Sequence, residues 1–152
     1  MLFRSSYASQ NAYEPDLQGS FDRNKDLYLT HFDLKTDVDD VHSVAGVATM
    51  LADARFSKVR YHAVAGAYGI QEGPYVPAEE VFDLAFGEHW SDAHAEFDKT
   101  LNEVRGLAID TLKRGGLIWI SDAGQSDFSA ALVRAIREQI SESSVRERIH
   151  IV

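Results

Sequence analysis

Four short runs of branched and aromatic residues recur along the chain, alternating with stretches of helical period, and that alternation restricts the fold more than any other feature. Leu27-Tyr-Leu-Thr-His-Phe32 reads as a buried strand, as do Val59-Arg-Tyr-His-Ala-Val-Ala65, Leu117-Ile-Trp-Ile120 and Arg148-Ile-His-Ile-Val152. A helix is expected from Val41 to about residue 54, with Val44, Val47, Ala48 and Leu51 on one face. Pro77 is placed to open a second helix ending near Phe86. Ser91 reads as the N-cap of a long third helix that turns Phe97, Leu101, Val104, Ala108 and Leu112 inward and stops at Gly115-Gly116. A fourth helix is expected over residues 128–140. Strand and helix in alternation form βαβ units. The expected fold is therefore α/β, three-layered, with a mostly parallel sheet, helices on both faces and a Rossmann-like topology. Residues 1–25 are polar and read as an irregular arm; residues 26–152 form the α/β domain.

The first junction of this pattern is unusually acidic. Asp33, Asp37, Asp39 and Asp40 fall within eight residues between the first strand and the first helix. Open α/β sheets place ligand sites at the carboxyl ends of their strands. Asp39 and Asp40 lie where carboxylates cap a helix and complement its dipole. Four acids exceed what capping uses, and like charges crowd unfavourably without a cation or many hydrogen-bond donors. A metal or polyol site is the reading that accounts for the surplus.

Composition removes several alternatives. A chain of 152 residues with 45% hydrophobic and 11% aromatic content can build one core. A net charge of −9 without a basic stripe argues against nucleic acid as a partner. The absence of cysteine excludes disulfides, thiolate catalysis and thiolate metal sites. No apolar run approaches a membrane span, and the first residues lack the apolar core of a signal peptide. The default compartment is the cytoplasm, or the periplasm or exterior if a leader has been removed.

With its acids in this position the chain resembles the nucleoside hydrolases, and most closely the nucleoside-hydrolase-like domains of bacterial carbohydrate-linked proteins. The enzymes of that family carry Asp-x-Asp-x-x-x-Asp-Asp after their first strand, and the carbohydrate-linked group carries Asp-x-x-x-Asp-Pro-Asp-Asp. Asp33-Leu-Lys-Thr-Asp37-Val-Asp39-Asp40 is similar to the second pattern, with Val38 at the proline. Trp119-Ile-Ser-Asp-Ala-Gly124-Gln-Ser-Asp127 resembles a later strand and turn of the family, and the order of elements agrees over residues 27–152. The resemblance implies calcium as cofactor, with Asp40, Asp33 and the backbone carbonyl of Asp122 as ligands. It implies that Asp39 binds sugar hydroxyls. Tyr68 and Tyr75, in loops after the second strand, are expected to line the substrate. The implied chemistry is hydrolysis of an N- or O-glycosidic bond of a sugar, nucleoside or oligosaccharide, through an oxocarbenium-like ring.

Two departures bear on catalysis. The family's general base falls on Lys35, whose ammonium group offers donors and no acceptor, so Asp37 is the expected substitute base. The family's substrate-binding asparagine falls on Ala67, and its later metal-binding aspartate and neighbouring histidine lie beyond Val152. The chain therefore reads as the amino-terminal part of a larger domain, completed by a homo-oligomer or by a following segment of the same protein. A carbohydrate-binding module without turnover is the alternative on the same scaffold. A receiver-type signalling domain ranks last, because Asp122 lies far from Asp40 in sequence and no suitable lysine follows a fourth strand. His31 and His62 lie within strands and read as structural, and His42 as a helix-surface residue.

Overall fold

A computed structural model of the chain describes residues 20–35, 38–69, 72–125 and 127–152. Among these, five strands form one sheet: β1 (Leu27–Phe32), β2 (Arg60–Ala65), β3 (Trp90–Asp92), β4 (Ile118–Ala123) and β5 (Ile149–Ile151). They lie in the order β3-β2-β1-β4-β5, and every adjacent pair is parallel. The connections hold helices α1 (Asp39–Leu51), α2 (Glu79–Phe86), α3 (Phe97–Lys113), α4 (Asp127–Ile136) and α5 (Glu142–Arg148).

The pleat sends alternate strand residues to opposite faces, and each face is covered. Leu27 and Leu29 of β1, with Val64, Ile118 and Ile120, pack against Val104, Ala108 and Leu112 of α3 and Phe128, Leu132 and Ile136 of α4. Phe32, Ala63 and Ala65 point the other way, onto Val44 of α1 and Phe82 and Phe86 of α2. The result is a three-layer α/β fold of Rossmann-like topology. Its strand order turns at β1, which has β2 on one side and β4 on the other, and such a switch point opens a crevice outside the carboxyl ends.

Several boundaries differ from the expectation. Ser91 is not a helix cap: it lies in β3, and α3 begins at Phe97 with no side-chain cap at Glu96. A strand of three residues shows no period of its own, and its existence depends on pairing with Ala63–Ala65 of β2. β4 runs on to Ala123, through Ser121 and Asp122, which read as loop by polarity. Ser121 Oγ donates to Thr30 Oγ1 at 3.1 Å and shares a hydrogen bond with Tyr28 Oη at 2.8 Å, so its polarity is met within the sheet. α1 ends at Leu51 rather than near residue 54, and a 3₁₀ turn then spans Ala54–Phe56. α4 stops at Ile136, and the last strand is the fifth. Of the expected amino-terminal arm, residues 20–25 are described and lead into β1 through a turn; the rest lie outside the described residues.

Asp26, directly before β1, ties this lead-in to β4. Its Oδ1 accepts from Leu117 N at 2.8 Å, and its Oδ2 from Trp119 Nε1 at 3.1 Å and Asp22 N at 2.9 Å. Across the sheet, Arg148 donates to the carbonyls of Leu112 (2.6 Å) and Gly116 (2.5 Å), satisfying the open end of α3.

Candidate functional site: an acidic crevice at the switch point

The chain leaves β1 through Asp33 and folds back on itself immediately. Asp33 N donates to Ala123 O (3.2 Å), while its Oδ1 accepts from Lys35 N (3.0 Å) and its Oδ2 from Gln125 N (3.2 Å). One carboxylate thus joins the carboxyl ends of β1 and β4. The fit depends on Gly124, whose φ is +91° and where a Cβ would overlap the Asp33 carboxylate. The next residue, Leu34, is fully buried with φ +55°, a left-handed conformation uncommon for a branched side chain. Two bonds hold it there: its N–H donates to Asp40 Oδ2 at 2.7 Å, and its carbonyl accepts from Val76 N at 2.9 Å. Backbone strain of this kind persists where surrounding contacts over-determine it, and it clusters at functional sites.

Asp40 is 6% exposed. Burial pushes its carboxyl up to about 6, against the Leu34 N–H, which favours the charged form; Asp33 and Asp39 add to the rise. Asp39 is exposed, and its Oδ1 accepts from Asp40 N at 3.0 Å. The structure therefore brings Asp33, Asp39 and Asp40 together. Asp37 lies outside the described residues.

A pH dependence follows. Asp40 has a folded pKa near 6 against an ordinary value of 3.8, so between these values the folded state binds more protons than the unfolded one. Its contribution to stability is fully favourable below the ordinary value and is lost as pH rises toward 6 and beyond. Urea midpoints are expected to fall from about pH 4.5 to 6.5 in the metal-free protein, and Asp40→Asn to flatten that part of the profile. A profile identical in the variant would sink the assignment.

Asp122 is placed differently. Its amide donates to Val152 O at 3.0 Å, which sets that peptide on the β5 side of β4. Its side chain lies on the α3/α4 face, 3.6 Å from His31 Nδ1, with both oxygens buried and without a hydrogen bond. The same His31 nitrogen is 2.7 Å from Ser129 Oγ. Burial lowers the His31 pKa, and Asp122 opposes that shift.

Around the crevice stand residues from the β1, β2 and β3 loops. Lys35 pairs with Tyr75 in an isolated antiparallel bridge; its ammonium donates to Gly73 O at 3.2 Å and lies 4.6 Å from the centre of the Tyr68 ring. Tyr68 Oη hydrogen-bonds His94 Nδ1, and His94 stacks on Tyr75 with ring centres 3.8 Å apart and planes at 10°. Tyr75 Oη is buried without a hydrogen bond, and desolvation followed by the Asp92 charge raises its pKa. Asp92 anchors the β3 loop by accepting from His94 N (2.8 Å) and Ala95 N (3.1 Å). Tyr68 thus stands at the crevice, whereas the Tyr75 ring is covered on one face by His94.

Asp92 and His94 were not singled out by sequence reasoning. The signal available was Asp-Ala-His after a β-forming Trp-Ser pair, which becomes readable only once β3 is known to be a strand.

Calcium takes six to eight oxygens, many of them from water. Among the described residues no group of three or more His, Asp or Glu side chains is arranged to hold a metal ion. Asp33 and Asp40 offer two carboxylates whose oxygens accept backbone N–H groups yet keep lone pairs to spare. A hard divalent ion held by these two side chains would need most of its oxygens from water or ligand hydroxyls. Comparison with protein-family models, with curated proteins and with solved structures yields no match.

Proposed function

We propose that this chain is a nucleoside-hydrolase-related protein that hydrolyses an N- or O-glycosidic bond, with Asp33 and Asp40 holding calcium and Asp39 binding sugar hydroxyls. The observation that supports it most is the convergence of these three carboxylates on the β1/β4 switch point, next to a strained, doubly held Leu34. Calcium, when bound, would supply positive charge that anchors hydroxyl oxygens and acidifies water. The exposed Asp39 carboxylate accepts hydrogen bonds from ring hydroxyls, which fixes the sugar over the crevice. Asp33 and Asp40 place negative charge where the ring becomes cationic as the glycosidic bond lengthens. Asp37 is the proposed base, and Tyr68 offers a ring face to the substrate.

Lys35 favours a second reading. In the sequence pattern Lys35 falls at the position of the family's base, and its ammonium here donates to Gly73 O and lies over the Tyr68 ring. In that reading the crevice binds a carbohydrate without turnover, since carboxylates grip hydroxyls whether or not a base is present.

Calorimetry with calcium tests both readings, and Asp40→Asn is expected to weaken binding at least about tenfold, or about 1.4 kcal/mol. Unchanged affinity would show that Asp40 serves the loop alone. Release of nitrophenol from nitrophenyl glycosides, or of base from nucleosides, then separates turnover from binding.

A further inference from the structure

A cavity of mixed polar and apolar lining, including Leu27, Val59 and Leu107, lies away from the crevice, beside the amino-terminal half of β2. It is an open hollow of about 540 Å³, a volume in the range of small-molecule sites, and Lys58, Arg60, Tyr61, His62, Glu88 and Glu103 contribute to its wall. β3 is too short to cover this part of the sheet: its pairing with β2 begins at Ala63. Ala63 N donates to His89 O, so the backbone groups of odd-numbered β2 residues face that edge, and among the described residues no strand lies beyond the peptide group of Tyr61.

His62 is the organised element of the wall. It is 4% exposed, and its Nε2 lies 2.7 Å from Ser91 Oγ. Ser91 spends its single hydroxyl proton on Glu103 Oε2 at 2.8 Å, so its oxygen must accept from His62 Nε2–H. The relay from Glu103 through Ser91 therefore fixes the tautomer and leaves Nδ1 as the nitrogen with a lone pair. The buried polar atoms without a hydrogen bond, among the described residues, belong to His31, Tyr75 and Asp122. His62 Nδ1 is not one of them and has no hydrogen-bond partner among the described residues, and His62 lines the cavity, so this nitrogen is available to it.

We propose that this cavity is a second ligand site for a neutral, polyhydroxylated molecule of monosaccharide size, with His62 Nδ1 accepting from one of its hydroxyls. The charges of the wall argue for neutrality: Lys58 and Arg60 oppose Glu88 and Glu103, in a protein whose overall charge is −9. The wall combines donors (Lys58, Arg60), acceptors (Glu88, Glu103) and an aromatic residue (Tyr61), which suits a molecule with hydroxyls on its rim and C–H groups on its faces. Burial lowers the His62 pKa, which keeps the imidazole neutral and accepting, although Glu103 opposes the shift. The site is independent of the acidic crevice, which lies at the other end of the strands.

Histidine imidazole shifts, followed by NMR in the 152-residue chain during titration with D-ribose, D-glucose, glycine and inorganic phosphate, provide the test. A sugar is expected to move the His62 signals saturably at millimolar concentration, about −4 kcal/mol of binding, while phosphate and glycine do not. Leu107→Trp, which fills the cavity from α3, should weaken binding at least about tenfold. Glu88→Ala, at an exposed position, should weaken it at least about threefold by removing an acceptor. Asp40→Asn should leave it unchanged. Failure of both sugars to move His62 at about 100 mM, a response to phosphate alone, or loss of binding in Asp40→Asn would each overturn the proposal. So would unaltered affinity in both cavity variants. The calcium titration is unaffected by any of these outcomes, so the two sites stand or fall separately.

Discussion

Asp26→Ala is expected to lower unfolding stability by about 3 kcal/mol, because three donors lose a charged acceptor at once. Leu117 N, Trp119 Nε1 and Asp22 N all bond to this one carboxylate, which is 2% exposed. The three bonds are partly buried and tie the lead-in to β4 at the start of β1. Asp26→Asn should fall between wild type and alanine, since it keeps one acceptor oxygen but turns the other into a donor facing a donor. Urea denaturation of the three proteins reads the order directly. A loss below about 1 kcal/mol in the alanine variant would mean that the lead-in contributes little to closing the sheet.

Gly124→Val is expected to cost about as much, near 3 kcal/mol, and also to abolish binding at the crevice. Two penalties add at this position. A branched side chain at φ +91° is strained, and its Cβ would overlap the Asp33 carboxylate. Relief requires Asp33 to swing out, which releases Gln125 N and parts the two strand ends that form the site. Gly124→Ala should show the same loss of calcium binding with a smaller stability change. Retention of calcium affinity in a folded Gly124→Ala protein would detach the metal proposal from Asp33.

Much of this architecture was readable in the residues, and the failures share a cause. β1 and β2 are long enough, and apolar enough, to declare themselves, and the acids after β1 drew attention because their charge exceeds any capping need. β3 has three residues, and only the neighbouring edge of β2 makes it a strand. Ser121 and Asp122 read as loop because a polar residue in a strand is recognised only with its partners, Tyr28 and Thr30 for one and His31 for the other. The stack of Tyr75 on His94 joins segments 19 residues apart, with α2 and β3 between them, and no local pattern encodes such a meeting. Lys35 departs from the family pattern in the sequence itself, but its place over Tyr68 belongs to the folded loops alone.

The position of β1 between β2 and β4 has a kinetic consequence. Asp33 and Gln125, which close the crevice, are 92 residues apart in sequence, as nearly are Thr30 and Ser121 at 91. Joining them requires the closure of a loop that spans most of the chain, whose entropy is recovered only after the contacts form. The β1–α1–β2 unit can assemble early from near neighbours, yet it carries half a binding site. The crevice arises when β4 docks, so its ligand would recognise a completed sheet and hold together two parts of the molecule that fold at different times.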